Sequence, residues 1–212
     1  MQKRLEYFFE NLLKTPAFVL FLALCAGAIL ILWTRIQLVE NQTIAYQILQ
    51  EQGRFGIFTL FNSLKYLGTP LIYGLKITLI AFVLWTGAFM YGYKISFGQM
   101  WKIAIIGEFV FLFAELLKVA WLIWVPYEPT IWDIRAFYPL SLMNFFNYET
   151  LPNHWIYPLQ AINLFEPINW LVLVYGIHFT ARKKLDYAYA IVFTTYVPLF
   201  LIWLVYYVVV YH

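Results

Sequence analysis

Five apolar runs punctuate the chain, at 16–34, 70–92, 101–124, 162–181 and 187–210, and polar stretches separate them. A bilayer-crossing helix needs roughly 20 mostly apolar residues, so each run has the length of a span. Pro16 opens the first, and Trp33 and Arg35 close it. Pro70 opens the second, which carries Lys76, and Pro198 is expected to kink the fifth. Ahead of the first run, Leu5, Phe8, Phe9, Leu12 and Leu13 recur at helical spacing, with Lys3, Arg4, Glu6, Glu10 and Lys14 elsewhere. That pattern predicts a short helix lying in the membrane interface. The fold class expected is all-α, a polytopic transmembrane helical bundle forming a single domain over residues 1–212.

The intervening segments refine this picture. Residues 35–68 are too polar to span, although Phe55, Phe58, Phe61 and Leu64 are placed to lie along the membrane surface. Residues 125–160 are rich in proline and aromatics, which predicts an ordered loop against the interface. The initial "MQKR" imitates the start of a signal peptide. The run behind it begins late and lacks a small-residue cleavage site, so it reads as a retained span.

Composition strengthens the membrane reading. Of the residues, 63% are hydrophobic, 12% charged and 22% aromatic, whereas soluble domains carry about 25% charged residues. A net charge of +3 without a long basic run gives no footprint for nucleic acid. The single cysteine, Cys25, permits neither an internal disulfide nor a thiol metal site and reads as a small packing residue.

Lysine and arginine set the orientation. With five spans, Lys3, Arg4, Lys14, Lys94, Lys102, Arg182, Lys183 and Lys184 share one side. The opposite side has Arg35, Arg54, Lys65 and Arg135, spread over longer segments. The expected N-terminus is therefore cytoplasmic and the C-terminus, at His212, external.

Two stretches resemble the Yip1 family of five-span membrane proteins. "YKISFGQMWKIAIIGEFVFL" is similar to the family's cytoplasmic S-F-x-Q turn leading into a span. "LQAINLFEPINWLVLVYGIHFTARKKLDYAYAIVFTTYVPLFLIWL" is similar to its closing hairpin. The resemblance covers roughly residues 70–210. It implies a cytoplasmic N-terminus, short cytoplasmic turns and an external C-terminus. The family's long N-terminal region, associated in eukaryotic members with small GTPases, is replaced here by about fifteen residues. The shorter form looks like the bacterial members, which points to a bacterial inner membrane. In a eukaryotic host, Asn41-Gln42-Thr43 would be a glycosylation sequon on the external side.

The ionisable residues within the runs are Lys76, Glu108, Glu115, Lys118 and His178. On insertion scales each charge at a helix centre costs about 2.5–3.5 kcal/mol, so these residues need partners or a task. Glu108 and Glu115 lie seven apart on one helical face, and Glu115 and Lys118 are spaced to pair. Lys76, Glu115 and Lys118 are expected to cluster near the outer leaflet, either as a structural ion-pair network or with Glu108 as part of a proton or cation relay. Glu108 has no partner on its own helix and stands out. His178, the weaker candidate, either meets Glu108 or is hydrated near the inner surface. Glu108, Glu115 and Lys118 are expected to face protein, leaving positions 106, 109, 110, 113 and 117 for acyl chains.

Catalytic motifs are lacking. His154, His178 and His212 have no ligand-spaced histidine or cysteine partner, and Ser63, Ser96 and Ser141 lie outside any nucleophile elbow. Glu149 and His154 offer two loop ligands at most, and "GTPLIYG" lacks the lysine and spacing of a phosphate loop. Asn163 and Glu166-Pro167 read as helix initiation, with a cap, a dipole partner and a first-turn proline. No metal, cofactor or catalytic residue is expected.

The function expected is that of a non-enzymatic Yip1-like scaffold or accessory subunit in a larger membrane assembly. Its partners would be the lipid bilayer and other membrane subunits or a second copy. The alternative is a small ion- or proton-coupled transporter, or a transporter subunit, using Glu108 and Glu115.

Overall fold

The computed structural model describes residues 2–43, 55–124, 130–182 and 184–211. Arg54 and Lys183, counted in the charge bias, and the terminal His212 lie outside the described residues. So do the side chains of Lys3, Arg4, Leu5, Phe55, Phe58 and Phe61.

The described chain is helical, with no β-strand among the described residues beyond an isolated bridge between Ser141 and Asn163. The α-helices, in order, are α1 (Gln2–Lys14), α2 (Ala17–Leu38), α3 (Phe55–Met90), α4 (Phe97–Trp124), α5 (Ile131–Ala136), α6 (Asn153–Ala161), α7 (Phe165–Ala181), α8 (Leu185–Ile191) and α9 (Val197–Val210). Short 3-10 turns occupy Glu40–Gln42 and Leu142–Phe145, and a π-helical turn at Val192–Tyr196 joins α8 to α9.

Three helices are long and apolar enough to cross a membrane among the described residues: Ala17–Leu38, Asn62–Met90 and the continuous Leu185–Val210. The other two expected runs are helices as well, but of a different kind. α4 carries Lys102, Glu108, Glu115 and Lys118. α7 has 17 residues. At ~1.5 Å per residue it is about 26 Å long, short of the ~30 Å hydrocarbon layer.

Pro70 does not open its helix. α3 begins at Phe55 and carries the proline inside. Leu60, Leu64 and Leu67 extend a helical apolar pattern upstream, and the Lys65 ammonium donates to the Asn62 carboxamide at 3.1 Å. Immediately before the proline, the Thr69 hydroxyl donates to the Lys65 carbonyl at 2.8 Å, a side-chain bond of the kind that lets apolar helices tolerate proline. Pro198 sits just beyond the π-turn, whose widened backbone contains Thr194, the residue whose carbonyl the proline ring crowds.

The expected cap at α7 is also different. Its N-cap is Leu164, with no side-chain cap bond. The Asn163 carboxamide turns back and donates to the carbonyls of Gln160 and Ala161, each at 3.0 Å. It therefore closes α6, whose end carbonyls need donors as much as α7 needs acceptors.

The chain forms two compact units. The first comprises Met1–Leu24, Gly74–Phe111 and Leu164–His212; the second comprises Cys25–Tyr73 and Leu112–Asn163. In the first unit, α1 is not merely laid on the interface. Phe9 is buried, with its ring 5.4 Å from that of Phe179 and 6.3 Å from that of Tyr175 on α7. The Lys102 ammonium donates to the Leu13 carbonyl at 2.7 Å, closing the C-terminal end of α1. The Ser96-Phe97-Gly98-Gln99 stretch is a reciprocal capping box. The Gln99 backbone N–H donates to the Ser96 hydroxyl at 3.3 Å, and the Ser96 backbone N–H donates to the Gln99 side-chain oxygen at 2.9 Å.

In the second unit, Val39, Leu122 and Ile134 form a buried apolar cluster with Phe137 against it. The Thr130 hydroxyl and Asp133 carboxylate make a second capping box at the start of α5. The Gln160 carboxamide donates to the carbonyls of Arg135 and Ala136, and the Leu142 N–H donates to the Ile162 carbonyl at 3.0 Å. These bonds fold 130–163 into a small ordered layer.

Candidate functional site

Glu108 sits mid-way along α4 and is 1% exposed at its side chain. The Lys76 ammonium from α3 donates to its Oε2 at 2.8 Å. The Lys76 side chain is itself 47% exposed and also lies 4.7 Å from the centre of the Phe111 ring. Lys76 thus forms the exposed edge of the pair, and Glu108 its buried end. Sequence alone placed Lys76 early in its helix, with Glu115. The earlier start of α3 changes that: Lys76 follows Phe55 by 21 residues and is mid-helix.

The close approach of α4 and α7 builds the wall beside Glu108. A side chain at Gly107 would collide with the Asn169 carboxamide oxygen and come within 3.2 Å of Leu173. One helical repeat along the same contact, a Cβ at Gly176 would come within 2.7 Å of Ile103. Small residues at such crossings let helix backbones approach closely in lipid, where packing rather than water expulsion drives association. Asn169 is buried, and its carboxamide donates to the Tyr196 hydroxyl at 3.2 Å.

Glu166 lies three residues before Asn169, on the same face of α7, and is buried. Sequence reasoning treated Glu166 as a helix-start residue. Glu166 and Asn169 at i, i+3 in an apolar helix, ten and seven residues before the close contact at Gly176, were the available signal.

Glu115 and Lys118 belong to the other unit. The Arg35 guanidinium on α2 approaches the Glu115 carboxylate at 3.7 Å and donates through Nε to Glu40 at 3.0 Å. The partner of Glu115 is therefore an arginine that reads, in sequence, as the boundary of the first span. Ala28, Ile31, Leu32, Arg35, Thr69, Tyr73, Leu112 and Glu115 line a half-open cleft of about 200 Å³. Lys118 is buried, with its ammonium 6.0 Å from the centre of the Tyr138 ring.

Along α4, Glu108 and Lys118 are buried and Glu115 is half-buried, while Phe113 and Leu117 are exposed. Ile106, expected to meet lipid, is buried, because it shares the turn that presses against α7 at Gly107. His178 lies 12 residues beyond Glu166, about 18 Å along α7, with its ring 5.0 Å from that of Phe179. Among the described residues, no three histidine, cysteine, aspartate or glutamate side chains are grouped to hold a metal.

The chemistry open to the first unit's cluster is charge neutralisation and proton exchange. It contains the Lys76 ammonium bonded to the Glu108 carboxylate and, against the neighbouring Gly107, the Asn169 carboxamide bonded to the Tyr196 hydroxyl. No protein-family model matches the chain, and neither the curated proteins nor the solved structures give a match.

Proposed function

We propose that the protein is a non-enzymatic integral membrane subunit that acts as a scaffold or accessory component of a larger membrane assembly. In this reading it has five spans, a cytoplasmic N-terminus and an external C-terminus, and resides in a bacterial inner membrane. The Yip1-like turn and closing hairpin support that topology.

The carrying observation is the ordered layer between α4 and α7. It is pinned by a capping box and cross-segment hydrogen bonds, yet it holds Trp132, Phe145, Phe146 and Trp155 at its surface. Phe145 is 83% exposed. Aromatics held outward on a rigid support contribute contact area at little entropic cost, which suits a protein or membrane-interface partner. The ion pairs of Lys76 with Glu108 and of Arg35 with Glu115 account for charges within the bundle as helix-joining contacts.

A photo-crosslinker placed at Phe145 or Trp155 in the native membrane should trap one stoichiometric partner, either another membrane subunit or a second copy. A monomer that traps none and still performs its cellular role would refute the proposal. The transporter reading retains one specific support, the near-complete burial of Glu108. For that reading, Glu108→Gln would abolish pH-dependent flux in reconstituted vesicles.

A further inference from the structure

Two charged groups lining the second unit's cleft have hydrogen-bonding capacity to spare. Arg35 uses its Nε to reach Glu40 at 3.0 Å, and among the described residues neither terminal nitrogen of its guanidinium makes a hydrogen bond. The Glu115 carboxylate makes none there either. The guanidinium stands 3.7 Å from it, beyond hydrogen-bond reach. Lys118, one turn further along α4, has its ammonium 6.0 Å from the Tyr138 ring and forms no ion pair with Glu115 among the described residues. Both cleft groups are half-buried. Charged groups withdrawn from water without such bonds are costly, so the pair suits a ligand that brings an acceptor and a donor together.

We propose that this cleft binds the head group of a zwitterionic phospholipid bearing a primary ammonium, of the phosphatidylethanolamine type, with its phosphate on Arg35 and its ammonium on Glu115. Such a site stands whether or not the chain is a scaffold subunit.

The geometry gives each group a part. A guanidinium matches a phosphate as a fork of N–H donors against oxygen acceptors, and the terminal nitrogens of Arg35 are open for it. A short carbon bridge joins phosphate to ammonium in the head group, so adjacent opposite charges on the protein can meet both. A purely anionic head group would set a like charge beside Glu115, and a quaternary choline nitrogen has no N–H to donate to it. The Thr69 hydroxyl, which donates to the Lys65 carbonyl, still has oxygen lone pairs to accept from the ammonium. The remaining wall is apolar, with Ala28, Ile31 and Leu32 on the same face of α2 as Arg35 and Leu112 from α4. Gly27 lets α4 close on that wall, since a Cβ there would come within 2.8 Å of Leu112. The volume, about 200 Å³, equals roughly six or seven waters, which is room for a head group but not for a whole lipid. Leu30, Ile72 and Leu116, beside the lining residues, are exposed and offer apolar ground to the acyl chains. Arg35 lies three residues before the end of the 22-residue α2, where a helix of that length meets the head groups.

The test is native mass spectrometry of the full-length protein in detergent. Phosphatidylethanolamine, phosphatidylcholine and phosphatidylglycerol with identical acyl chains are offered in competition. Wild type should retain one phosphatidylethanolamine per chain and the other two about tenfold less, the effect of losing one charge-assisted hydrogen bond. Glu115→Gln should abolish the preference over phosphatidylglycerol, because the like charge is gone. Ala28→Leu, which fills the cleft and leaves both charges in place, should remove the selective retention. If wild-type protein holds the three lipids equally, or phosphatidylglycerol ahead of phosphatidylethanolamine, the proposal fails, and that measurement needs no variant to fold. A preference that survives either substitution in protein of native helicity places the lipid elsewhere and equally overturns it.

Discussion

Gly107 illustrates how one missing side chain decides what surrounds a buried carboxylate. Without a Cβ there, α4 can accept Asn169 against its backbone, and Asn169 can reach Tyr196. Any larger residue must displace the Asn169 carboxamide, which is buried and hydrogen-bonded to Tyr196. Gly107→Val should therefore destabilise the first unit by about 1–3 kcal/mol, the usual cost of overpacking a filled core. A lowered thermal midpoint in detergent checks this, with Gly98→Val as control, because a side chain at Gly98 meets nothing within 4 Å. Equal loss from both variants would show that the contact of Asn169 with Gly107 is not the cause.

Among the elements, α5 is the shortest α-helix described and depends on its cap. A six-residue helix cannot offset its nucleation cost by propagation, so the reciprocal Thr130–Asp133 bonds matter more than in a long span. The Asp133 carboxylate is subject to two opposing effects. Partial burial pushes its pKa up, but hydrogen bonds from the Thr130 hydroxyl and backbone N–H and from Tyr148 outweigh this and hold it below the ordinary carboxylate value. A depressed value in the folded state means that the carboxylate contributes stability above the unfolded value, near pH 4, and loses it as the pH falls further. Thr130→Ala should cost about 1 kcal/mol and remove most of that acid dependence. Hydrogen exchange over 130–136, measured at neutral pH and at about pH 3, checks both points. Protection that is low and equal at the two pH values in wild type would mean the capping box does not hold the layer.

At the scale of the whole molecule, the open question is how many of the helices cross. Among the described residues, three are long and apolar enough to do so. The five-span proposal also requires α4 and α7 to cross, despite four charges on the one and a short length on the other. Cys25 is the single cysteine, so a Cys25→Ser background is cysteine-free. In that background, cysteines introduced at Lys94 and Lys184 should react with an impermeant thiol reagent only from the cytoplasmic face. Cysteines at Phe145 and Tyr211 should react only from outside. Labelling of Phe145→Cys and Lys94→Cys from the same face would mean that α4 does not cross, and the count of five would be lost.

What the sequence determined by itself is the all-helical class and the helical nature of each long apolar run, because an apolar backbone must satisfy its hydrogen bonds within the segment. The Ser96–Gln99 and Thr130–Asp133 capping boxes carry a local signal, since both bonds of a box join residues three apart, although the sequence reading did not draw on it. The exceptional position of Glu108 was legible too, because a charge without a local partner is visible in a linear pattern. The identity of its partner was not. Lys76 is 32 residues away, and its depth depended on whether Pro70 ended a helix, which neighbouring hydrogen bonds decided. Glu166 looked like a helix-start residue for a similar reason. A first-turn carboxylate and a buried charge have the same sequence, and only the approach of α7 to α4 across Gly107 distinguishes them. Arg35 likewise ended a span by its position, and met Glu115 only once α2 and α4 were packed. Local periodicity fixes which residues share a face of a helix. Which faces meet, and which charges then have to neutralise one another, is a contact between distant residues that only the packed structure decides.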